Sequence, residues 1–263
     1  AAASSAAADA EPRGGRRLDT AGWTQSRIDA ELLPPERAQR LGVHRAKAAV
    51  DPADLARVQA FEAAERHRLG ETRRDAQGFK RLESTWRTTF LHTDHAFQAA
   101  FPGLLDRLIQ VALDADAAQG WGLLDGSKED LRVRVVELHR VEPGGALPDQ
   151  CHLDHGSIVT VDVMCSAQGD FEGGTFTTLE ADGSLLPHAF EQGDVVVFPS
   201  HKFHSVQPVT GGHRVVMVME LWRGEERSCA HRCLQHLGPC GFSSVMSKLT
   251  NLATAAHPEV DPW

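Results

Sequence analysis

The chain has 263 residues, a formal charge of −9, and 41% apolar and 24% charged residues, the balance of an ordinary globular protein rather than a disordered or fibrous one. That length buries a substantial core and suits one principal domain with additions, so a single catalytic centre is expected. The acidic side chains are spread along the chain and no broad phosphate-neutralising face is evident, which argues against nucleic acid as a partner. No apolar run approaches the roughly 18 to 20 residues of a membrane helix, so no membrane span is expected.

Residues 1–22 are small, polar and Gly/Arg-rich, and such a composition does not repay the entropy of ordering. They are expected to form a flexible leader, whose Ala, Ser and Arg are compatible with a transit-sequence remnant. Residues 23–130 are expected to form an N-terminal helical support region. From Pro34 to about Gly70 the pattern is helical, with Asp51-Pro52 as cap and first turn and Leu55, Val58, Phe61 and Leu69 near helical spacing. A second helix begins near Pro102, carries Leu104, Leu105, Leu108, Ile109, Ala112 and Leu113 on one stripe, and ends at Gly120.

After Leu131 the rhythm changes to short Val-rich runs between turn residues: Arg132 to Val141, Ser157 to Met164, Gly174 to Leu179, Asp194 to Phe198 and Arg214 to Leu221. The expected fold is mainly β with supporting α-helices, a jelly roll over residues 131–223. Residues 224–263 show no period and form a C-terminal appendage, loop-rich or weakly helical.

His152-Leu153-Asp154 places an imidazole and a carboxylate two residues apart, on one face if the backbone is extended. His204 follows 52 residues after His152, beyond the turn and buried run Gly193 to Pro199, with ample chain to return antiparallel beside the first pair. Two histidines and a carboxylate make the facial triad that leaves three positions on iron(II) open. Arg214 offers a planar fork for a carboxylate, on a run from Val215 to Met219 where an unpaired guanidinium is costly. Glu220 is the rival partner for that charge. A three-residue loop, Thr210-Gly211-Gly212, is expected to turn both His204 and Arg214 inward, with Arg214 facing Pro208 and about 13 Å from His204 along the strand.

These pieces, in order, resemble the 2-oxoglutarate/iron(II) dioxygenases, in particular the prolyl 4-hydroxylase-like branch. They are Glu142-Pro143-Gly144-Gly145, His152-x-Asp154, Phe171-Glu172-Gly173-Gly174-Thr175-Phe176, Gly193 to Phe198, His204 and His213-Arg214. The resemblance covers about a third of the chain, from Leu131 to Trp222, and implies a cupin-like double-stranded β-helix. It implies Fe(II) on His152, Asp154 and His204, 2-oxoglutarate on Arg214, and O2 as oxidant, with ascorbate as an accessory reductant to be tested. The implied reaction releases succinate and CO2 and hydroxylates an unactivated C–H bond, with a peptidyl prolyl or lysyl side chain as leading substrate. A small metabolite or lipid substrate, or a cupin-like binding module without turnover, are the rivals. Asp154 argues against halogenating relatives, in which a small residue replaces the carboxylate. The chain contains no Tyr, where relatives often use one at the 2-oxoglutarate pocket, so His139 or Thr160 is expected to substitute.

Other residues have plainer readings. His92-Thr93-Asp94 repeats the tripeptide ahead of the strand-rich region and is expected to be an exposed turn or helix cap. Gly173-Gly174 and Gly211-Gly212 are read as tight turns with no direct chemistry. Cys151 is expected to pack rather than act as a nucleophile. Five cysteines are odd and sparse for a disulfide scaffold and favour a soluble protein of a reducing compartment, cytoplasmic or organellar rather than secreted. Cys229, His231, Cys233, His236 and Cys240 contain enough ligands for zinc, but the spacing lacks the familiar paired C-x2-C, and buried packing of the thiols is the simpler expectation.

Overall fold

A computed structural model describes residues 33–75, 84–125, 128, 129, 131–233, 235 and 240. The leader expected at 1–22, His236 and the tail from 241 onward lie outside them. Two antiparallel sheets carry the fold. The larger has seven strands in the order β1-β10-β6-β13-β4-β3-β2, and the smaller has four in the order β5-β11-β8-β9. Here β1 is His44–Ala46, β2 Glu71–Arg74, β3 Trp86–Phe90, β4 Arg132–Val141, β5 Leu147–His152 and β6 Val159–Met164. Next come β7 Phe171–Gly173, β8 Phe176–Leu179, β9 Leu185–His188, β10 Val195–Pro199, β11 His204–Val206, β12 Val209–Gly212 and β13 Arg214–Trp222. Strands β7 and β12 form a separate pair.

Alternation along the large sheet builds two cores. Val159, Val161 and Val163 of β6, Val195 and Val197 of β10, and Val215, Met217, Met219 and Leu221 of β13 face the helices. Those helices are α2, Pro52–Leu69, and α4, Pro102–Gln119, the latter preceded by the short α3, Ala96–Ala100; α2 packs on the sheet's outer side through β3, and α4 through β1, β6 and β10. The opposite side chains, among them Val141, Val196 and Phe198, meet Phe176 and Val206 of the small sheet. Because side chains alternate with period two, the residues between the helix-facing ones on β6 and β13 point to the space between the sheets. They are Thr160, Asp162 and Met164 on one strand and Arg214, Val216, Val218 and Glu220 on the other. This two-layer roll is the expected jelly roll.

Several expectations need correction. The stretch from Pro34 to Gly70 is not continuously helical: a one-turn helix α1, Pro35–Ala38, and strand β1 precede α2. The region expected to be helical support also supplies β2 and β3, so the large sheet draws strands from both sides of residue 131. The His204 to Arg214 hairpin does not form. β12, which holds Thr210, Gly211 and Gly212, pairs with β7, and Arg214 sits opposite Val141 of β4 rather than Pro208. The chain changes sheets between β11 and β13, placing His204 and Arg214 on facing sheets. Cys151 is exposed on β5 rather than packed. His92 and Thr93 are fully buried, with His92 Nδ1 bonded to the Val136 backbone, so only the Asp94 end of that tripeptide is an exposed turn.

Candidate metal centre

His152 ends β5 and His204 begins β11, and the two are direct cross-strand partners, with ring centroids 4.9 Å apart. Asp154 follows in the turn after β5, its N–H donating to Ser200 O at 2.8 Å. That anchor returns its carboxylate to the Nε2 atoms of both rings: Oδ1 lies 3.6 Å from His152 Nε2 and Oδ2 3.8 Å from His204 Nε2. One donor atom from each of the three residues falls within 4.8 Å of the others. His204 Nδ1 faces Lys202 O at 3.0 Å, a contact that places the proton on Nδ1 and leaves the Nε2 lone pair for a metal. Burial, opposed by Asp154, pushes the His204 pKa down to about 4, keeping the ring neutral as a ligand must be. For Asp154, burial works upward, but Arg232 and the two imidazoles outweigh it and hold the carboxyl well below its usual range.

Arg214, 2% exposed, lines the same pocket as the triad, together with Trp86, His139, Leu147, Asp162, Phe176, Val206, Val216, Val218 and Arg232. Among the described residues its Nε has no hydrogen-bond partner and no ion pair includes it, and its guanidinium lies 5.8 Å from the Phe190 ring centre. Burial brings its pKa down to about 10, so it stays charged. Glu220, the rival partner, is engaged elsewhere, by Arg134 at 3.0 Å and by Arg232. Gly174 bears on this arginine, contrary to the reading of it as turn geometry alone. It has φ +63°, and a Cβ there would lie 2.7 Å from Arg214 Cδ, so glycine makes room for the guanidinium stem.

The two candidates for the missing tyrosine part company. His139 lines the pocket, its Nε2 2.8 Å from Glu137 Oε2 and its ring 5.4 Å from Trp86. Thr160 instead serves the triad: its hydroxyl donates to Asp154 Oδ2 at 2.7 Å and meets Ser200 Oγ at 2.9 Å. Thr160→Val is therefore expected to weaken iron(II) affinity by about 10- to 100-fold, the usual cost of removing a group that orients a metal ligand. Thr160→Ser should restore it. Anaerobic metal titration checks this, and an unchanged affinity in the valine variant removes Thr160 from the site.

Two pocket residues went unforeseen. Asp162 interrupts the apolar run of β6 on the same face as Thr160 and Met164, and a carboxylate inside such a strand was the available signal. Burial and the charge of Asp154, only partly offset by Arg214, raise its pKa to about 8. Between its ordinary pKa and that value the folded chain holds one more proton than the unfolded chain. The stability of the metal-free protein therefore falls as pH rises through this window and is fully present only below it. Asp162→Asn abolishes that slope, and from about pH 5 to about pH 7 the variant should gain about 2.5 kcal/mol on wild type in denaturant unfolding. A parallel pH dependence in the two proteins counts against a buried protonated carboxyl.

The other is Arg232, from the appendage after β13. Its guanidinium bonds Asp154 Oδ1 at 2.7 Å, pairs with Glu220 and lies 3.7 Å from Glu137 Oε2. Burial alone would raise Glu137, but Arg232 and His139 hold it down to about 2. Nothing in the aperiodic tail marked Arg232 in advance.

With two imidazoles, the Asp154 carboxylate and a buried arginine that enters no ion pair among the described residues, the pocket of this two-layer roll resembles, in motif and in site, that of the 2-oxoglutarate/iron(II) oxygenases. The chain is 31% identical over 122 residues to a PKHD-type hydroxylase of Idiomarina loihiensis, an alignment covering 46% of this chain. It spans about half the length of that curated relative (52%). No protein-family model matches the chain. Among solved structures, it overlaps a 2OG-Fe(II) oxygenase-family oxidoreductase from Burkholderia pseudomallei with a TM-score of 0.49 at 18% identity, over 76% of this chain and 93% of the other. A Pseudomonas putida prolyl-4-hydroxylase overlaps with a TM-score of 0.48 at 20% identity, over 73% and 100%. Among the described residues no helix is long and apolar enough to cross a membrane.

Proposed function

We propose that this pocket is the active site of an Fe(II)- and 2-oxoglutarate-dependent dioxygenase that hydroxylates an unactivated C–H bond, releasing succinate and CO2. The observation that carries the reading is the convergence of His152, Asp154 and His204 in one pocket with a buried arginine that enters no ion pair among the described residues. The donor set fits iron(II), since two nitrogens and one carboxylate oxygen leave room for bidentate and gaseous ligands. When bound, iron and 2-oxoglutarate supply with O2 the oxidising power that side chains lack.

The chain's own share is positioning. His152 and His204 present their Nε2 atoms, Lys202 O fixes the tautomer of His204, and Thr160 aims Asp154. Arg214 offers a bidentate grip to the distal carboxylate of 2-oxoglutarate. Trp86, Phe176, Val216 and Val218 line the remaining walls with apolar surface that keeps water from the reacting centre. His139 and Asp162 are the polar groups left in the pocket to stand where relatives use a tyrosine.

For the substrate, a peptidyl prolyl or lysyl side chain is the leading choice. It is supported by the motifs shared with the prolyl 4-hydroxylase-like branch and by the hydroxylase name of the Idiomarina relative. Purified protein given iron(II), 2-oxoglutarate and a panel of peptides should release succinate only under oxygen and add 16 mass units to a prolyl or lysyl peptide. Gain confined to small metabolites or lipids moves the substrate class, and absence of succinate under every condition leaves a binding module.

A further inference from the structure

Beyond the pocket, the segment after β13 folds four ligand-bearing side chains together. Cys229, His231 and Cys233 alternate along the chain, and Cys240 returns to them, its Sγ 3.6 Å from His231 Nε2. One ligand atom from each of the four lies within 4.8 Å of the others. A tetrahedral zinc ion with bonds of about 2.3 Å to sulfur and about 2.0 to 2.1 Å to nitrogen sets its ligand atoms about 3.5 to 3.8 Å apart. The cluster therefore already has the size of a zinc shell to within about 1 Å. Cys229, His231 and Cys233 are at most 5% exposed, and none of these cysteines is in a disulfide.

We propose that Cys229, His231, Cys233 and Cys240 form a structural zinc site that folds the appendage against the metal pocket. Three thiolates and one imidazole fill all four positions of the ion, so the site is closed to substrate and its work is architectural. Each thiol releases its proton to solvent as it takes the metal. The architecture has a purpose in view, because Arg232 lies between two of the ligands and its guanidinium reaches Asp154, Glu137 and Glu220. The sheet holds the same segment through a second arginine, Arg134 of β4, whose Nη2 donates to Cys233 O at 2.7 Å. Spacing concealed the site, since alternate ligands followed by a distant cysteine do not make the paired pattern of a zinc ribbon. The proposal is independent of whether the pocket turns over 2-oxoglutarate.

Full-length protein purified under reducing conditions without chelator is expected to retain one equivalent of zinc, distinct from iron and released when a mercurial titrates the thiols. Cobalt(II) in its place should give the near-ultraviolet thiolate charge-transfer band and the intense visible absorption of tetrahedral cobalt, which the nitrogen- and oxygen-donor triad cannot produce. Asp154→Ala should keep both signals, separating this site from the triad. Cys240→Ser, at the least buried of the four positions, should lower retained zinc at least tenfold. Protein with all its thiols reduced that binds no zinc and shows no thiolate band overturns the proposal. So does zinc retained in full by Cys240→Ser, or a mass two daltons low from a bond between Cys229 and Cys233.

Discussion

Asp154→Ala is expected to reduce oxygen-dependent succinate release at least about a thousandfold, some 4 kcal/mol on the barrier, while leaving the fold in place. Asp154 is the only carboxylate among the three clustered ligands, and two imidazoles alone bind iron(II) weakly and do not fix which positions stay open. The fold should tolerate the loss, because the groups left behind keep other partners. Arg232 retains Glu137 and Glu220, and Thr160 retains Ser200. Succinate release by the purified variant, compared at matched unfolding temperature, is the check. Activity within a few-fold of wild type removes Asp154 from the metal.

Arg214→Ala is expected to act on the co-substrate rather than on the metal. A buried charge-assisted pair contributes about 3 kcal/mol when one partner is removed, so the 2-oxoglutarate concentration for half-saturation should rise on the order of 100-fold with iron(II) affinity little changed. Arg214→Lys should fall between, since an ammonium supplies the charge but not the two parallel donors. Arg214 enters no ion pair among the described residues, so its truncation breaks no protein salt bridge. A 2-oxoglutarate requirement unchanged in both variants places the co-substrate elsewhere.

The parts of this molecule that sequence reveals are those where burial leaves a pattern. β4 and β13 were legible almost to the residue because they are central strands, buried on both faces, and write long Val-rich runs. α4 was legible for its apolar stripe and the glycine that ends it, Gly120 at φ +64°. β5 was not, because Leu147-Pro-Asp-Gln-Cys-His152 is mostly exposed and has no apolar alternation. β1, β7 and β11 are three residues long, too short to show a period.

In the site, the His-x-Asp pair and His204 were legible from their place among glycine turns, and Arg214 from its position on an apolar strand. Their geometry was not, because the expected hairpin treated His204 and Arg214 as neighbours on one sheet. Facing sheets bring them together instead. Arg232 depends wholly on a tertiary contact from an aperiodic segment, which local pattern does not encode.

The central claim is that iron(II) and 2-oxoglutarate meet in this one pocket, and anaerobic titration tests it most directly. Iron(II) added to the protein should leave the visible spectrum nearly blank. One equivalent of 2-oxoglutarate should then raise a weak charge-transfer band that saturates with wild type and is absent with Asp154→Ala. A folded wild-type chain that binds neither reagent, or gives the same band without Asp154, contradicts the account.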